Sequence, residues 1–339
     1  MVDQILLNQL RKEKLITAFE KNYNVVSPLW SNHQIEWMNG VYAPFKDHDK
    51  YLIVLYLIKK TFDFYSKNFV RETFTEFYQK DFIQIESLNV MEISQALNIP
   101  KESARRKIIE LEKIGVIKKS GKKIIIDKKA FPFIRPEKSI VRVSRFFATL
   151  STVMLDEKII QSEFTSDVIT TFIAKNFSHI WKLYYELQIP MILKWKKVFM
   201  DIESFHVWGI CVVNEQLNIK RKGDLKMNKT AYIKKYYNTL SQLEGMNAMS
   251  ISDISGIPRA TVTRKLNILL EKKYLKINDK KHYTLANETH KEVSEIQRLN
   301  FNNLADFTAQ VFNLMLVEER TSKKIHERLP LGAQKYLNL

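Results

Sequence analysis

Glycine and cysteine are both scarce in this sequence. Eight glycines in 339 residues are too few for the many tight turns of an all-β chain, which favours a mainly helical fold. The single cysteine, Cys211, excludes an intrachain disulfide and any zinc site built on two thiolates. Its apolar neighbours predict a buried and inert thiol. A reduced protein held together by helix packing is therefore expected.

Long apolar runs and targeting signals are also missing. The longest apolar runs, such as Tyr51–Ile58 and Val207–Val213, fall far short of the roughly 18 residues that a membrane-spanning helix needs. The segment MVDQILLNQLRKEK carries Asp3 and has no apolar stretch ahead of a small-residue cleavage site, unlike a signal peptide. We therefore predict a cytoplasmic, nucleoid-associated protein with no membrane partner.

Acidic residues are outnumbered by basic ones. The chain has 54 lysines and arginines against 37 aspartates and glutamates, a net charge of +17. This surplus favours an anionic partner, and nucleic acid ahead of a membrane surface. The length corresponds to about two domains at roughly 150 residues each.

Motifs of known enzymes and metal sites are absent. The segment Gly115–Lys123 has five residues between its glycines and no Ser or Thr after Lys122, so it fails the phosphate-binding loop pattern. The seven histidines include no pair at i, i+4, and the short cluster Asp47–Asp49 is predicted to be a solvated loop. No nucleophile motif occurs. We therefore predict no enzymatic activity, no cofactor and no metal.

Several large aromatic side chains could either fill a core or line an effector pocket, and core packing is the default interpretation. They are Trp30, Trp37, Tyr42, Phe45, Trp195 and Trp208.

An internal repeat is the strongest positive signal. Residues 91–118 and 249–276 align without a gap at an offset of 158, with nine identities in 28 positions. The same offset pairs Trp37 with Trp195 and His48 with His206, which leaves open a duplication of the whole half-chain. The identities are Met91/Met249, Ile93/Ile251, Ser94/Ser252, Ile99/Ile257, Pro100/Pro258, Arg106/Arg264, Lys107/Lys265, Leu111/Leu269 and Lys118/Lys276.

Each copy of the repeat predicts two helices followed by a hairpin. In the first copy a helix over 90–97 is followed by a break at Asn98–Pro100 and a second helix to about Ile114, which Gly115 ends. Ala104, Ile108 and Leu111 form one buried stripe on the second helix. Residues 116–119 and 123–127 alternate as a hairpin. The second copy predicts a helix over 259–272 and a hairpin over 274–277 and 281–285.

The rest of the chain is predicted to be helical with two loops. Helical spacing occurs over 3–22, 51–80, 139–176, 178–213 and 286–320, whereas 24–50 and the basic segment 217–230 are predicted to be loops. The fold class is therefore mainly α with small β-hairpin wings. The predicted division is 1–86 N-terminal helical region, 87–135 first winged-helix domain, 136–244 central helical region, 245–288 second winged-helix domain and 289–339 C-terminal helical region.

Helix, tight turn, helix and hairpin is the order of a winged helix-turn-helix. The sequence resembles the bacterial winged-helix regulators, and IPRATVTRKLNILLEKKYLKI (257–277) is similar to the recognition helix and first wing strand of the MarR and Crp/Fnr-like groups. The resemblance spans about 45 residues in each copy. MarR-type protomers place this motif between helices that pair with a second subunit. The resemblance implies that one chain carries both protomers.

The predicted DNA contacts follow from the groove geometry. A recognition helix enters the major groove, which is about 12 Å wide, and presents its first residues to base edges. Residues 87–130 carry +6 and residues 245–288 carry +4, so the two copies hold +10 of the +17 charge. The predicted DNA-binding residues are Lys101, Ser103, Arg105, Arg106, Lys107, Lys122 and Lys123 in the first copy, and Arg259, Thr261, Thr263, Arg264, Lys265, Lys280 and Lys281 in the second.

The sequence thus predicts a sequence-specific, double-stranded DNA-binding transcriptional regulator. Its two recognition helices would enter successive major-groove segments about 34 Å apart. Because Glu102 in one helix corresponds to Ala260 in the other, the two copies are expected to read different bases. Two further partners are left open. One is a second copy of the chain, bound through the helical regions, and the other is RNA polymerase. The alternatives are a replication initiator or partition protein that binds origin repeats, and a protein-interaction scaffold built from winged helices.

Overall fold

The computed structural model describes residues 9–85, 89–120, 123–220, 226–239, 244–286 and 290–328. These residues are mainly helical with short antiparallel strands, which confirms the predicted class at that level. No helix in these ranges is long and apolar enough to cross a membrane.

The helices are α1 (Lys12–Lys21), α2 (Tyr23–Tyr42), α3 (His48–Lys67), α4 (Phe74–Gln79), α5 (Val90–Leu97), α6 (Lys101–Lys113), α7 (Phe131–Ile134), α8 (Glu137–Asp156), α9 (Ser166–Lys175), α10 (Phe177–Phe199), α11 (Ile202–Lys220), α12 (Lys229–Thr239), α13 (Ala248–Ser255), α14 (Arg259–Glu271) and α15 (Lys291–Arg328). The strands are β1 (Phe82–Ile85), β2 (Ile117–Ser120), β3 (Lys123–Asp127), β4 (Leu275–Ile277) and β5 (Tyr283–Leu285).

Two small antiparallel sheets accompany the helices. The first has the strand order β1-β3-β2, and the second pairs β4 with β5. In the first sheet β1 pairs with β3. The corresponding strand of the second sheet, β5, pairs at that place only through an isolated bridge between Met246 and Tyr283. Both hairpins predicted from the sequence are confirmed.

The same series of elements occurs twice along the chain. Elements α1–α3, α5, α6, β2, β3 and α8 correspond in order to α9–α11, α13, α14, β4, β5 and α15. The side-chain amides of Asn89 and Asn247 each cap a helix by accepting a hydrogen bond, 2.9 Å long, from its third backbone N–H. The hydroxyls of Ser94 and Ser252 each donate to the carbonyl five residues later, at 2.6 and 2.7 Å. The repeat therefore extends to individual hydrogen bonds.

The turn between the paired helices has the same backbone in both copies. Asn98 and Gly256 end their helices in the left-handed region, with φ of 49° and 67°, where glycine and asparagine are the best tolerated residues. Pro100 and Pro258 then precede the next helix, with φ of −52° and −54°. A proline there gives up no helical hydrogen bond and fixes the direction of entry.

The two halves interlock through their long helices. Helix α2 packs on α11 and α3 packs on α10, so each pair contains one helix from each half. At the ends, α1 packs on α15 and α9 packs on α8. One continuous hydrophobic core contains side chains from Leu10 to Met315. The packing therefore crosses the boundaries of the five regions that the sequence predicts.

The loop predicted over 24–50 is wrong, because most of this segment forms α2 and the segment ends in the first turn of α3. The reason is that α2 buries polar side chains such as Ser27, His33 and Gln34 together with Trp30 and Met38. Buried polar residues blur the amphipathic stripe, and the stripe is the signal that a sequence offers. The loop predicted over 217–230 is also too long, since α11 continues to Lys220 and α12 begins at Lys229; residues 221–225 lie outside the described ranges.

Before the repeated helix pair, equivalent residues of the two halves are 154 rather than 158 residues apart, which differs from the prediction by about one helical turn. Asn22 precedes α2 as Asn176 precedes α10, and Asp47 precedes α3 as Asp201 precedes α11, so these helix starts are 154 rather than 158 residues apart. The difference of four residues lies between α3 or α11 and the following helix pair. Because four residues are close to one turn, a residue and its mispaired counterpart still lie on the same face of the helix.

Candidate nucleic-acid interface

Helices α6 and α14 each bury one stripe, as the sequence predicts for the first. Both stripes have side chains no more than 1% exposed, so the opposite faces point away from the core. The stripe residues are Ala104, Ile108 and Leu111 in α6, and Val262, Leu266 and Leu269 in α14.

The outward face of α6 carries paired arginines. The side chains of Arg105 and Arg106 are 64% and 71% exposed. A guanidinium nitrogen of Arg105 lies 3.9 Å from Glu102, and Nε of Arg106 lies 3.8 Å from Glu110. These exposed pairs are weak, because solvent screens them. Of the other two predicted residues on this helix, Lys101 is exposed and Ser103 is half-buried.

The outward face of α14 carries arginines without such partners. Arg259, Thr263 and Arg264 are exposed, and Thr261 is half-buried. Within the described part of the chain, neither arginine has an ion pair. The two equivalent helices therefore present guanidinium groups that differ in their freedom to bind an external anion.

Lys107 and Lys265, which the sequence places among the DNA contacts, instead anchor the helices to the scaffold. The Lys107 ammonium group pairs with Asp47 and lies 3.9 Å from Asp49. The Lys265 ammonium lies 2.7 Å from Asp201. Their side chains are only 13% and 7% exposed. A DNA-contact role is not supported for either, because each charge is already neutralised inside the protein.

The aspartates of these pairs are helix caps. Asp47 accepts a hydrogen bond from a first-turn backbone N–H of α3 at 3.1 Å, and Asp201 does the same for α11 at 2.7 Å. Asp49 pairs with Lys196 at 2.9 Å. The prediction of a solvated loop at Asp47–Asp49 is therefore wrong, because this segment starts α3 and joins both halves. The available sequence signal was an Asp that recurs at positions 47 and 201, an offset of 154 that an alignment at 158 hides.

A buried histidine pair joins the starts of α3 and α11. Nε2 of His206 is hydrogen-bonded to Oδ1 of Asn39 at 2.8 Å, and Nδ1 of His206 is hydrogen-bonded to Nε2 of His48 at 3.1 Å. The other ring nitrogen of His48 is hydrogen-bonded to a carboxylate oxygen of Glu203 at 3.1 Å. Burial raises the pKa of Glu203, but the hydrogen bond and charge of His48 outweigh it and lower that pKa to about 2. Within the described residues, no group of three or more His, Cys, Asp or Glu side chains is arranged to hold a metal ion.

Acid is expected to destabilise the fold through two buried histidines. Burial lowers the pKa of His33 to about 3 and that of His206 well below its usual range. Both histidines stay neutral in the folded protein, whereas in the unfolded chain they take up a proton as the pH falls through about 6.5. Their contribution to the free energy of unfolding is therefore complete above about pH 6.5 and is lost below it. Lowering the pH from about 7 to about 5.5 should cost about 1 kcal/mol for each histidine. Urea unfolding at the two pH values measures this loss. His33→Gln should remove about half of it, and a pH-independent free energy of unfolding would contradict the assignment.

The hairpin lysines lie at the far end of each unit. Lys123, Lys280 and Lys281 are exposed, whereas Lys122 lies outside the described residues. Lys123 begins β3, and the other two lysines lie in the turn between β4 and β5. The hairpins therefore add exposed positive charge beside helices α6 and α14.

No protein-family model, curated protein or solved structure matches this chain.

Proposed function

We propose that the protein is a sequence-specific, double-stranded DNA-binding transcriptional regulator whose chain carries two winged helix-turn-helix units. The observation that carries the proposal is the repeated pair Arg106-Lys107 and Arg264-Lys265. In each pair the arginine is exposed on the outer face of its helix, and the lysine is buried against a scaffold aspartate. One residue holds the helix in place while its neighbour is left to contact a partner.

The first turns of α6 and α14 suit contact with a nucleic acid. The backbone N–H groups at a helix start have no intrahelical acceptors, and the helix dipole favours an anion there. Exposed Lys101 and Arg259 occupy these starts and would fix the register by phosphate contacts. One turn further along, Arg106 and Arg264 would read base edges, because a guanidinium can bond to guanine through two N–H groups.

The scaffold would fix the spacing of the two units. Lys107 and Lys265 tie the outer helices to the caps of α3 and α11, and those helix starts meet at the His48–His206 contact. The separation between the units is thus set by buried packing rather than by a flexible linker. A fixed spacing suits two major-groove segments about 34 Å apart.

Alanine substitution of Arg264 is the first test. We expect Arg264→Ala to weaken binding to a duplex selected from a random library by about 1–3 kcal/mol, because a bidentate base contact is lost. Fluorescence anisotropy at several salt concentrations measures the affinity. Arg145→Ala is the matched control, since Arg145 is an exposed arginine on α8 of the scaffold. Equal losses for the two variants would contradict base reading by α14.

A further inference from the structure

A cavity lies between helices α2, α10, α11 and α15. It has a volume of about 100 Å³ and is walled by aromatic rings that include Trp30, Trp195 and Trp208. These tryptophans are 4–7% exposed, so the prediction that they belong to the core is confirmed. They also leave space between them.

Three amide side chains that line this cavity each have one buried polar atom without a partner. Nε2 of Gln34, Oε1 of Gln216 and Oδ1 of Asn300 are buried and have no hydrogen-bond partner within the described residues. The three side chains are only 6%, 9% and 5% exposed. Burying a polar atom without a partner is unfavourable. Three such atoms converging on one cavity therefore indicate that something else completes their hydrogen bonds.

A larger cavity adjoins this one. A neighbouring cavity of about 330 Å³ shares Tyr23, Trp208, Val212, Gln216 and Gln297 with it. A cavity of roughly 150 Å³ is enough to hold benzene. The two compartments together therefore have room for a molecule of one or two rings.

The lining defines the chemistry of the occupant. Among the described residues, no Asp, Glu, Lys or Arg lines either compartment, and His290 lines the larger one. An ionised ligand in the smaller compartment would therefore lose its hydration without a counter-charge. Flat aromatic walls favour a planar ring that stacks on them. In the smaller compartment the unpartnered atoms named above are one N–H donor and two oxygen acceptors, which a primary carboxamide complements with one oxygen and two N–H groups.

We propose that this cavity binds an uncharged, planar aromatic carboxamide. The ring would lie among Trp30, Trp195 and Trp208. Its carbonyl would accept from Gln34, and its amino group would donate to Gln216 and Asn300. The proposal does not depend on DNA binding, because occupancy is measured on the free protein.

One such site is expected in each chain. The residue equivalent to Gln34 in the second half is Gln188, which is fully buried but lines neither compartment. The rings of Phe146 and Tyr184 pack around His33 on the other face of α2. Because Gln188 is a buried glutamine like Gln34 but lies outside both compartments, it provides a control position.

Titration of the full chain tests the proposal. Three of its five tryptophans line the cavity, so bound ligand should change intrinsic fluorescence. Nicotinamide and benzamide are the probes, and nicotinate and benzoate are their charged counterparts of equal shape. We expect saturable quenching by the amides and binding at least about tenfold weaker for the acids. If neither amide binds, or if acids and amides bind equally, the proposal is wrong.

Two substitutions locate the site. Gln34→Leu and Asn300→Leu should each weaken amide binding by about tenfold, because each removes one hydrogen bond to the ligand. Their melting temperatures without ligand should not fall below that of the wild type, since each substitution also removes an unpartnered buried polar atom. Gln188→Leu should leave the affinity unchanged. Wild-type affinity in both Gln34→Leu and Asn300→Leu would overturn the assignment, and the wild-type titration remains decisive if either variant fails to fold.

Discussion

Replacing Arg106 and Arg264 together is expected to weaken duplex binding by about 2–6 kcal/mol, because two separate units each lose a contact worth about 1–3 kcal/mol. The residues lie on different helices, one in each copy of the repeat, so their losses should add. The measurement is fluorescence anisotropy on one selected duplex over a range of salt concentrations. Any phosphate contact made by these arginines should also lower the salt slope, by about one for each contact.

The two single substitutions should not be equal. Arg106 lies 3.8 Å from Glu110, which Lys50 holds at 2.6 Å, whereas Arg264 has no ion pair within the described residues. Arg106 has to leave its carboxylate to bind DNA, so part of its contact energy is offset. We therefore expect the larger loss for Arg264→Ala.

A matched double variant separates base reading from total charge. Arg145→Ala with Arg298→Ala also removes two positive charges, from exposed positions on α8 and α15. This control should change affinity only by long-range electrostatics, which salt screens. If both double variants weaken binding equally, helices α6 and α14 do not read DNA, and the protein-interaction scaffold becomes the better interpretation.

Removing the carboxylate of Asp201 is expected to lower the free energy of unfolding by about 3–5 kcal/mol. Lys265 then loses its partner at 2.7 Å, and its buried ammonium group keeps only the more distant negative charge of Glu203. The cap on the first turn of α11 is lost as well, which costs about 1 kcal/mol. Urea unfolding of Asp201→Ala measures the total.

Two companion variants test the cause of this loss. Adding Lys265→Met to Asp201→Ala removes the stranded charge and keeps an apolar stem, so most of the stability should return. Asp47→Ala should cost less than Asp201→Ala, because Lys107 keeps Asp49 at 3.9 Å. A loss of less than about 1 kcal/mol for Asp201→Ala would show that Lys265 does not depend on this pair.

Local features of the repeated unit could be predicted from the sequence. The stripe at Ala104, Ile108 and Leu111, the break before Pro100 and both hairpins follow from spacing and turn residues. These features depend on residues close together in the chain. The same features recur in both copies of the repeat, and this recurrence supports each prediction.

Features that depend on distant contacts could not be predicted in the same way. Asp47, the partner of Lys107, lies 60 residues away in the sequence, so the local pattern of α6 gave no indication that this lysine is mostly buried. Helix α2 was missed because its polar residues face the other half of the molecule. In both cases, packing between the halves decides the role of residues whose local pattern is ambiguous.

The interlocked halves also change how the protein responds to dilution. A homodimer that reads two half-sites dissociates at low concentration, and its affinity for DNA falls with it. Here the second unit is always present at the effective concentration that a covalent chain provides. A substitution also alters one unit at a time, as Glu102 and Ala260 illustrate, whereas a symmetric dimer changes both. Under the proposed function, the chain would therefore be free to recognise a site without two-fold symmetry, at copy numbers too low for a dimer of the same strength to assemble.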